Sequence, residues 1–137
     1  MPLISSKGVY GLTAMHELSK NQKDTPMQIR EISANASIPQ NYLEQLLSKL
    51  RRAELVNSVR GSKGGYRLAK KANEIKVLDI LLVLEDDLKI ADNKCSNPAL
   101  DIFFTEVKEK TQSLFSLSLD ELDQYLDKYN ENLHYSI

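Results

Sequence analysis

The chain is poor in the residues from which disulfide frameworks, metal centres and membrane anchors are made. In 137 residues there is one cysteine, Cys95, no tryptophan, five glycines and four prolines. A single cysteine excludes an intrachain disulfide framework and any centre that needs two thiolates from one chain. No apolar run approaches the roughly 20 residues needed to span a bilayer, and the opening MPLISSKGVYG lacks the apolar stretch of a signal peptide. A cytoplasmic protein without a membrane partner is the expectation. The two histidines, His16 and His134, show no metal-ligand spacing, and no Ser/His/Asp or Cys/His set can be assigned to a common pocket. Neither an enzyme nor a bound metal or other cofactor is expected. With 42% hydrophobic residues the chain can still bury a core, roughly two thirds of its unfolded surface at this length.

An excess of charge of one sign is also missing. Eighteen Lys+Arg against 19 Asp+Glu leave a net charge of −1, a balance that by itself argues against a nucleic-acid partner. The total conceals a division. Residues 1–72 hold 12 Lys+Arg against 5 Asp+Glu, a balance of +7, whereas residues 73–137 hold 6 against 14, a balance of −8. The excess is concentrated again over residues 49–71, where Lys49, Arg51, Arg52, Arg60, Lys63, Arg67, Lys70 and Lys71 face only Glu54. A basic run is often no more than a solvated face, so its meaning depends on the elements that carry it.

Those elements are readable from period and punctuation. Val9, Leu12, Met15 and Leu18 recur every third residue and predict an amphipathic helix over residues 6–21. Thr25, Pro26 and Gln28 supply a hydroxyl cap, a first-turn proline and a capping-box amide, predicting a second helix over 26–35 that buries Ile29 and Ile32. Ala36, Ser37, Ile38 and Pro39 break it, since a residue before proline leaves the helical region. Leu43, Leu46, Leu47 and Leu50 then mark one face of a third helix over 39–53. Two short helices joined by a tight turn are a helix-turn-helix. The period next shifts to strand, turn and strand across residues 55–69, with Gly61, Gly64 and Gly65 in the turn. Residues 75–84 are apolar almost all round and predict a buried helix, 85–97 a polar loop, and 98–115 a helix about 27 Å long with a near-heptad seam. Ser118 to Glu121 forms a capping box opening a last helix with Leu122, Tyr125, Leu126 and Tyr129 on one face. The expected fold is mainly α with a small β-hairpin: a winged helix-turn-helix domain over 1–75, its helix-turn-helix at about 26–53 and its wing at 55–69. Residues 76–137 form an effector loop and dimerisation helices, packed as one unit with the first.

The third helix and the wing carry the chemistry. A DNA major groove admits an α-helix and is read by amides, carboxylates and cations on base edges, and helix-turn-helix proteins make these contacts near the recognition helix's N-terminus. Gln40, Asn41, Glu44 and Gln45 stand there, with Lys49 one turn further on for a phosphate. In the wing, glycines bring the backbone close to a surface, and Arg60 and Lys63 suit a minor groove and its phosphates. Leu100, Phe103, Phe104, Val107 and Leu114 form the long helix's apolar seam, and a partner helix across a two-fold axis is the economical cover. A dimer also spaces two recognition helices about 34 Å apart, one turn of operator DNA.

SKGVYGLTAM in the first helix, YLEQLLSKLRRAELVNSVRGSKGGYRLAK through the third helix and wing, and SLSLDEL before the last helix resemble the Rrf-two family of bacterial winged-helix regulators, over about residues 1–133. The resemblance implies a homodimeric transcription factor whose helix 98–115 crosses its partner. By position in the signature, Glu44 and Gln45 read bases, Arg60 with Gly61 enters the minor groove, and Lys7, Tyr42, Ser62 and Lys63 touch the DNA backbone. The departure from the family pattern is equally specific. Cluster-binding members carry three closely spaced cysteines before the long helix, whereas here only Cys95 matches, and Pro98 stands where a histidine can occur. One thiolate per chain falls short of the ligand set of a [2Fe–2S] centre. The resemblance therefore points to the clusterless cysteine-metabolism repressors, which act with a partner enzyme of cysteine biosynthesis. Three alternatives stay open: redox sensing through Cys95, a cluster held with Asp92 or Asn97 beside Cys95, and a protein-interaction module whose acidic helices bind an enzyme and which has lost DNA binding.

Overall fold

The computed structural model describes residues 2–21, 23–91 and 96–135. The elements run α1 (Ser6–Ser19), α2 (Ile29–Ala36), α3 (Gln40–Arg52), β1 (Val56–Val59), β2 (Gly65–Leu68), α4 (Val77–Leu84), α5 (Pro98–Leu114) and α6 (Asp123–Tyr135), with 3-10 turns at Ala72–Glu74 and Leu119–Leu122. The fold is thus mainly helical with one antiparallel hairpin, registered Val56 to Leu68 and Val59 to Gly65.

The inward face of α1 differs from the predicted one. Gly8, Gly11, Ala14, Met15 and Leu18 are buried, while Val9 is 52% exposed. A Cβ on Gly11 would collide with Leu84 Cδ1, so the seam is set by small residues that let α4 approach closely rather than by the larger Val9. The helix also stops at Ser19, short of the predicted residue 21, where the Lys20 N–H closes on the carbonyls of His16 and Glu17.

A larger correction concerns α2. It begins at Ile29, not Pro26, and its cap residue Gln28 is extended. The Met27 N–H donates to the Tyr66 carbonyl at 2.9 Å and the Tyr66 N–H to the Met27 carbonyl at 2.8 Å. Residue 27 thereby adds a bridge to the free edge of β2. Two backbone bonds to an otherwise open edge outweigh the local capping signal of Thr25 and Pro26.

The turn between α2 and α3 places Ser37 in the left-handed region at φ 56° and buries Ile38. Pro39 then opens α3, which buries Leu43, Leu46, Leu47 and Leu50. It closes in a Schellman arrangement, with Glu54 at φ 64°, the Leu55 N–H on the Leu50 carbonyl and the Glu54 N–H on that of Arg51. These leucines meet Met15 and Leu18 of α1, Ile32 of α2, Val56 of β1 and Ile80 and Leu84 of α4 in one core.

Helix α4 starts two residues later than predicted and is not buried all round, since Leu82 is 37% exposed. Ile75 is instead extended, and the chain returning after α5 runs antiparallel beside it. The N–H groups of Val77 and Leu78, unpaired donors of a first helical turn, bond the carbonyls of Leu117 and Phe115 at 2.9 and 2.8 Å. The capping box at Ser118 and Glu121 is present, but it opens the 3-10 turn. That turn drives Leu119 fully into the core, and α6 starts only at Asp123.

Helix α5 has a cap made by Asn97 Oδ1, which accepts from the N–H groups of Ala99 and Leu100 at 2.9 and 3.3 Å, followed by Pro98 in the first turn. None of its residues is buried.

Candidate nucleic-acid interface

Gln40, Asn41, Glu44 and Gln45 are all exposed along the outer side of α3, because the leucines of the same helix take the inner side. Tyr42 is half-buried and meets Tyr10 edge-on, ring centroids 5.7 Å apart, which braces the helix from behind. Lys49 reaches Asp86 at 3.3 Å. Arg60, Gly61, Ser62 and Lys63 are exposed at the wing tip, where Gly61 takes φ 110° and its carbonyl accepts the Gly64 N–H at 2.9 Å. Gln28 Nε2 donates to the Ser62 carbonyl at 3.3 Å, tying the tip to the start of α2.

Two grooves, each of about 650 Å³, organise these residues. One lies between the start of α2, the start of α3 and the wing, and brings Gln40, Arg60 and Gly61 together with Gln28 and Arg30. The other runs along α3 and gathers Lys7, Asn41, Tyr42, Glu44, Gln45 and Lys49 beside Arg52. Lys7, distant in sequence, is thus beside the recognition helix because α1 packs behind it. Ser62 and Lys63 enter neither groove; they line a smaller depression of about 210 Å³ on the other side of the wing tip. Among the described residues, Lys7, Arg30, Arg52, Arg60 and Lys63 enter none of the ion pairs, which leaves four cations in the two grooves and Lys63 at the wing tip for an external anion.

The grooves add Gln28, Arg30 and Arg52 to the residues expected from the sequence. Arg52 was detectable, since it follows Asn41, Gln45 and Lys49 at helical spacing. Gln28 and Arg30 were hidden by the misplaced start of α2.

The predicted seam of α5 is placed on the surface: Leu100 is 45%, Phe103 55% and Leu114 79% exposed. Phe104 and Val107 are half-buried, and the Phe103 and Phe104 rings meet tilted at 55°, their centroids 5.5 Å apart. Tyr125, Leu126, Tyr129 and Leu133 of α6 are also exposed. His16 of α1 ties down the start of α6 through Asp123 at 2.9 Å. Cys95 and Asp92 lie outside the described residues. Among the described residues no three His, Cys, Asp or Glu side chains form a metal-binding group. No described helix is long and apolar enough to cross a membrane.

A recognition helix exposing amides and a carboxylate, flanked by a basic hairpin, defines a winged-helix DNA-binding regulator. Comparison with known proteins agrees. Residues 4–130 match the Rrf2 family model, described as an iron-dependent transcriptional regulator, and the chain belongs to this family. It is 35% identical over 130 residues to the transcriptional regulator CymR of Bacillus subtilis, covering 93% of this chain and 94% of CymR. The solved structure of that protein, described as a global cysteine regulator, superposes with a TM-score of 0.80 over 91% of this chain and 98% of its own. The transcriptional regulator IscR of Photobacterium profundum is 41% identical over 96 residues, 70% of this chain and 55% of IscR. An oxidised form of Staphylococcus aureus CymR is 34% identical with a TM-score of 0.74, covering 89% of this chain and 95% of that one. These relatives are transcriptional regulators, not enzymes.

Proposed function

We propose that the chain is a cytoplasmic homodimeric repressor that binds a two-half-site operator without an intrinsic iron–sulfur cluster and controls genes of cysteine or sulfur metabolism, alongside an enzyme of cysteine biosynthesis. In this reading residues 1–75 read DNA. Residues 76–137 join the two copies and receive the signal, packed as one unit with the first part. Gln40, Asn41, Glu44, Gln45, Arg60 and Gly61 meet bases, and Lys7, Tyr42, Lys49, Ser62 and Lys63 meet the backbone. The observation that carries it is the convergence of Gln40 and Arg60 on one groove, so that a recognition helix in the major groove brings the wing to the neighbouring minor groove. The exposed apolar seam of α5 supports the dimer, and the likeness to CymR supports the cysteine pathway.

The test is a gel shift with the gene's own upstream region. Binding is expected, and Arg60→Ala should weaken it by about 1–3 kcal/mol and relax the preference for an A·T-rich flank. No shift with any upstream fragment means a module that has lost DNA binding, and an unchanged Arg60→Ala removes the wing from the interface. The solved oxidised form of the Staphylococcus relative favours a second reading, in which Cys95 reports oxidant. Cys95→Ser then abolishes any loss of DNA binding under peroxide, and a response that survives the substitution sinks that reading.

A further inference from the structure

The residues just after α4 form a turn that touches three helices. Glu85 Oε1 accepts from the Ser5 N–H at 2.9 Å, the Ser5 hydroxyl at 2.7 Å and the Gly8 N–H at 3.1 Å, satisfying donors at the start of α1 that have no partner within the helix. Asp87 Oδ2 receives the Lys108 ammonium of α5 at 3.0 Å, and its Oδ1 accepts the Leu88 N–H at 2.9 Å. The bond from Lys108 holds the Asp87 carboxyl below its usual pKa. Asp86 and Asp87 are successive non-glycine residues at positive φ, 56° and 104°, a conformation that persists only where the surroundings over-determine it. Here Glu85 on one side and Asp87 on the other do so. The Asp86 carboxylate is thereby presented to Lys49 of α3, 3.3 Å away, and Lys49 lines the groove that also holds Lys7, Gln45 and Arg52.

We propose that Asp86 is a built-in substitute for a DNA phosphate: in the unbound protein it pairs with Lys49, and DNA must displace or share that ammonium, so Asp86 lowers DNA affinity. This rests on the reading of Lys49 as a phosphate contact. A positioning role has the opposite sign, since removal of Asp86 would then weaken binding. The geometry favours competition. A phosphate sharing the ammonium brings two anions to its two sides, and their repulsion opposes the complex. Because Asp86 is 74% exposed, water screens the pair, and the effect is that of an exposed ion pair, about two- to five-fold in affinity per half-site, shrinking as salt is added.

Phosphate contacts are independent of sequence, so a random-sequence duplex serves as the probe. Fluorescence anisotropy over a salt series compares the full chain with Asp86→Asn, Lys49→Ala and the double variant. Asparagine tolerates the left-handed region, so the turn survives the substitution; Asp86→Gly, equally at ease there, is the second variant, and thermal melts check both. The expected result is two- to five-fold tighter binding by Asp86→Asn at low salt and no gain from the same change in the Lys49→Ala background. Unchanged or weaker binding by Asp86→Asn overturns the proposal, as does an equal gain without Lys49, which marks only a general loss of negative charge. A Lys49→Ala variant with wild-type affinity and salt response overturns the phosphate-contact reading itself, and is seen separately.

Discussion

Gly61 and Gly65 both sit in the wing at positive φ, yet their surroundings differ. A Cβ on Gly61 would meet nothing within 4 Å, whereas one on Gly65, at φ 154°, would run into the Met27 carbonyl. Gly65 is where the segment before α2 comes against β2, and the clash falls on backbone that cannot yield. Gly65→Ala is therefore expected to destabilise the fold by about 1–3 kcal/mol through backbone strain and a disrupted bridge, read as a lowered urea midpoint. Gly61→Ala carries only the conformational penalty, and a midpoint shift as large as that of Gly65→Ala would remove the bridge from the account. The sequence shows three glycines at a turn together with Arg60 and Lys63. The difference between the two positions was hidden, because it depends on Met27, far away in the chain.

At the scale of elements, legibility follows how local the deciding interaction is. Helix α3 was readable because four leucines at helical spacing and Pro39 act within one stretch, and its termination at residue 52 involves only Glu54 and Leu55. The start of α2 is not legible in the sequence because Thr25 and Pro26 give a good local cap while Tyr66 offers a better non-local partner. The inward face of α1 is not legible because hydrophobic periodicity weighs Val9 above Gly8 and Gly11, although close helix packing values the absence of a side chain. The Glu85 bonds to the start of α1 were invisible for the same reason. The misplaced cap has a direct check. A working N-cap threonine is worth about 1 kcal/mol, whereas Thr25 is exposed and no side-chain cap bond is present at the start of α2. Thr25→Ala is therefore expected to change unfolding free energy by less than about 0.5 kcal/mol in chemical denaturation, and a loss near 1 kcal/mol would restore the capped helix from residue 26.

Across the whole molecule, the two charge balances of +7 and −8 follow the architecture: the cations gather around α3 and the wing, and α5 and α6 carry apolar and acidic surface. A net charge near zero thus averages a basic surface around α3 and the wing with an apolar and acidic one on α5 and α6, and the proposed dimer links the two through valency. If a dimer neutralises about eight phosphates, the logarithm of its DNA affinity falls with the logarithm of salt at a slope of about −7. Phe103→Asp puts a charge into the middle of the exposed α5 seam and is expected to shift sedimentation from dimer to monomer, leaving the core intact because Phe103 is 55% exposed. One reading head then binds with about half the phosphate contacts, so the slope falls to about −3.5 and affinity drops steeply on the two-half-site operator while changing little on a single half-site. If Phe103→Asp remains dimeric, or if the monomer keeps the full slope, α5 does not join the two copies and the reading heads act independently.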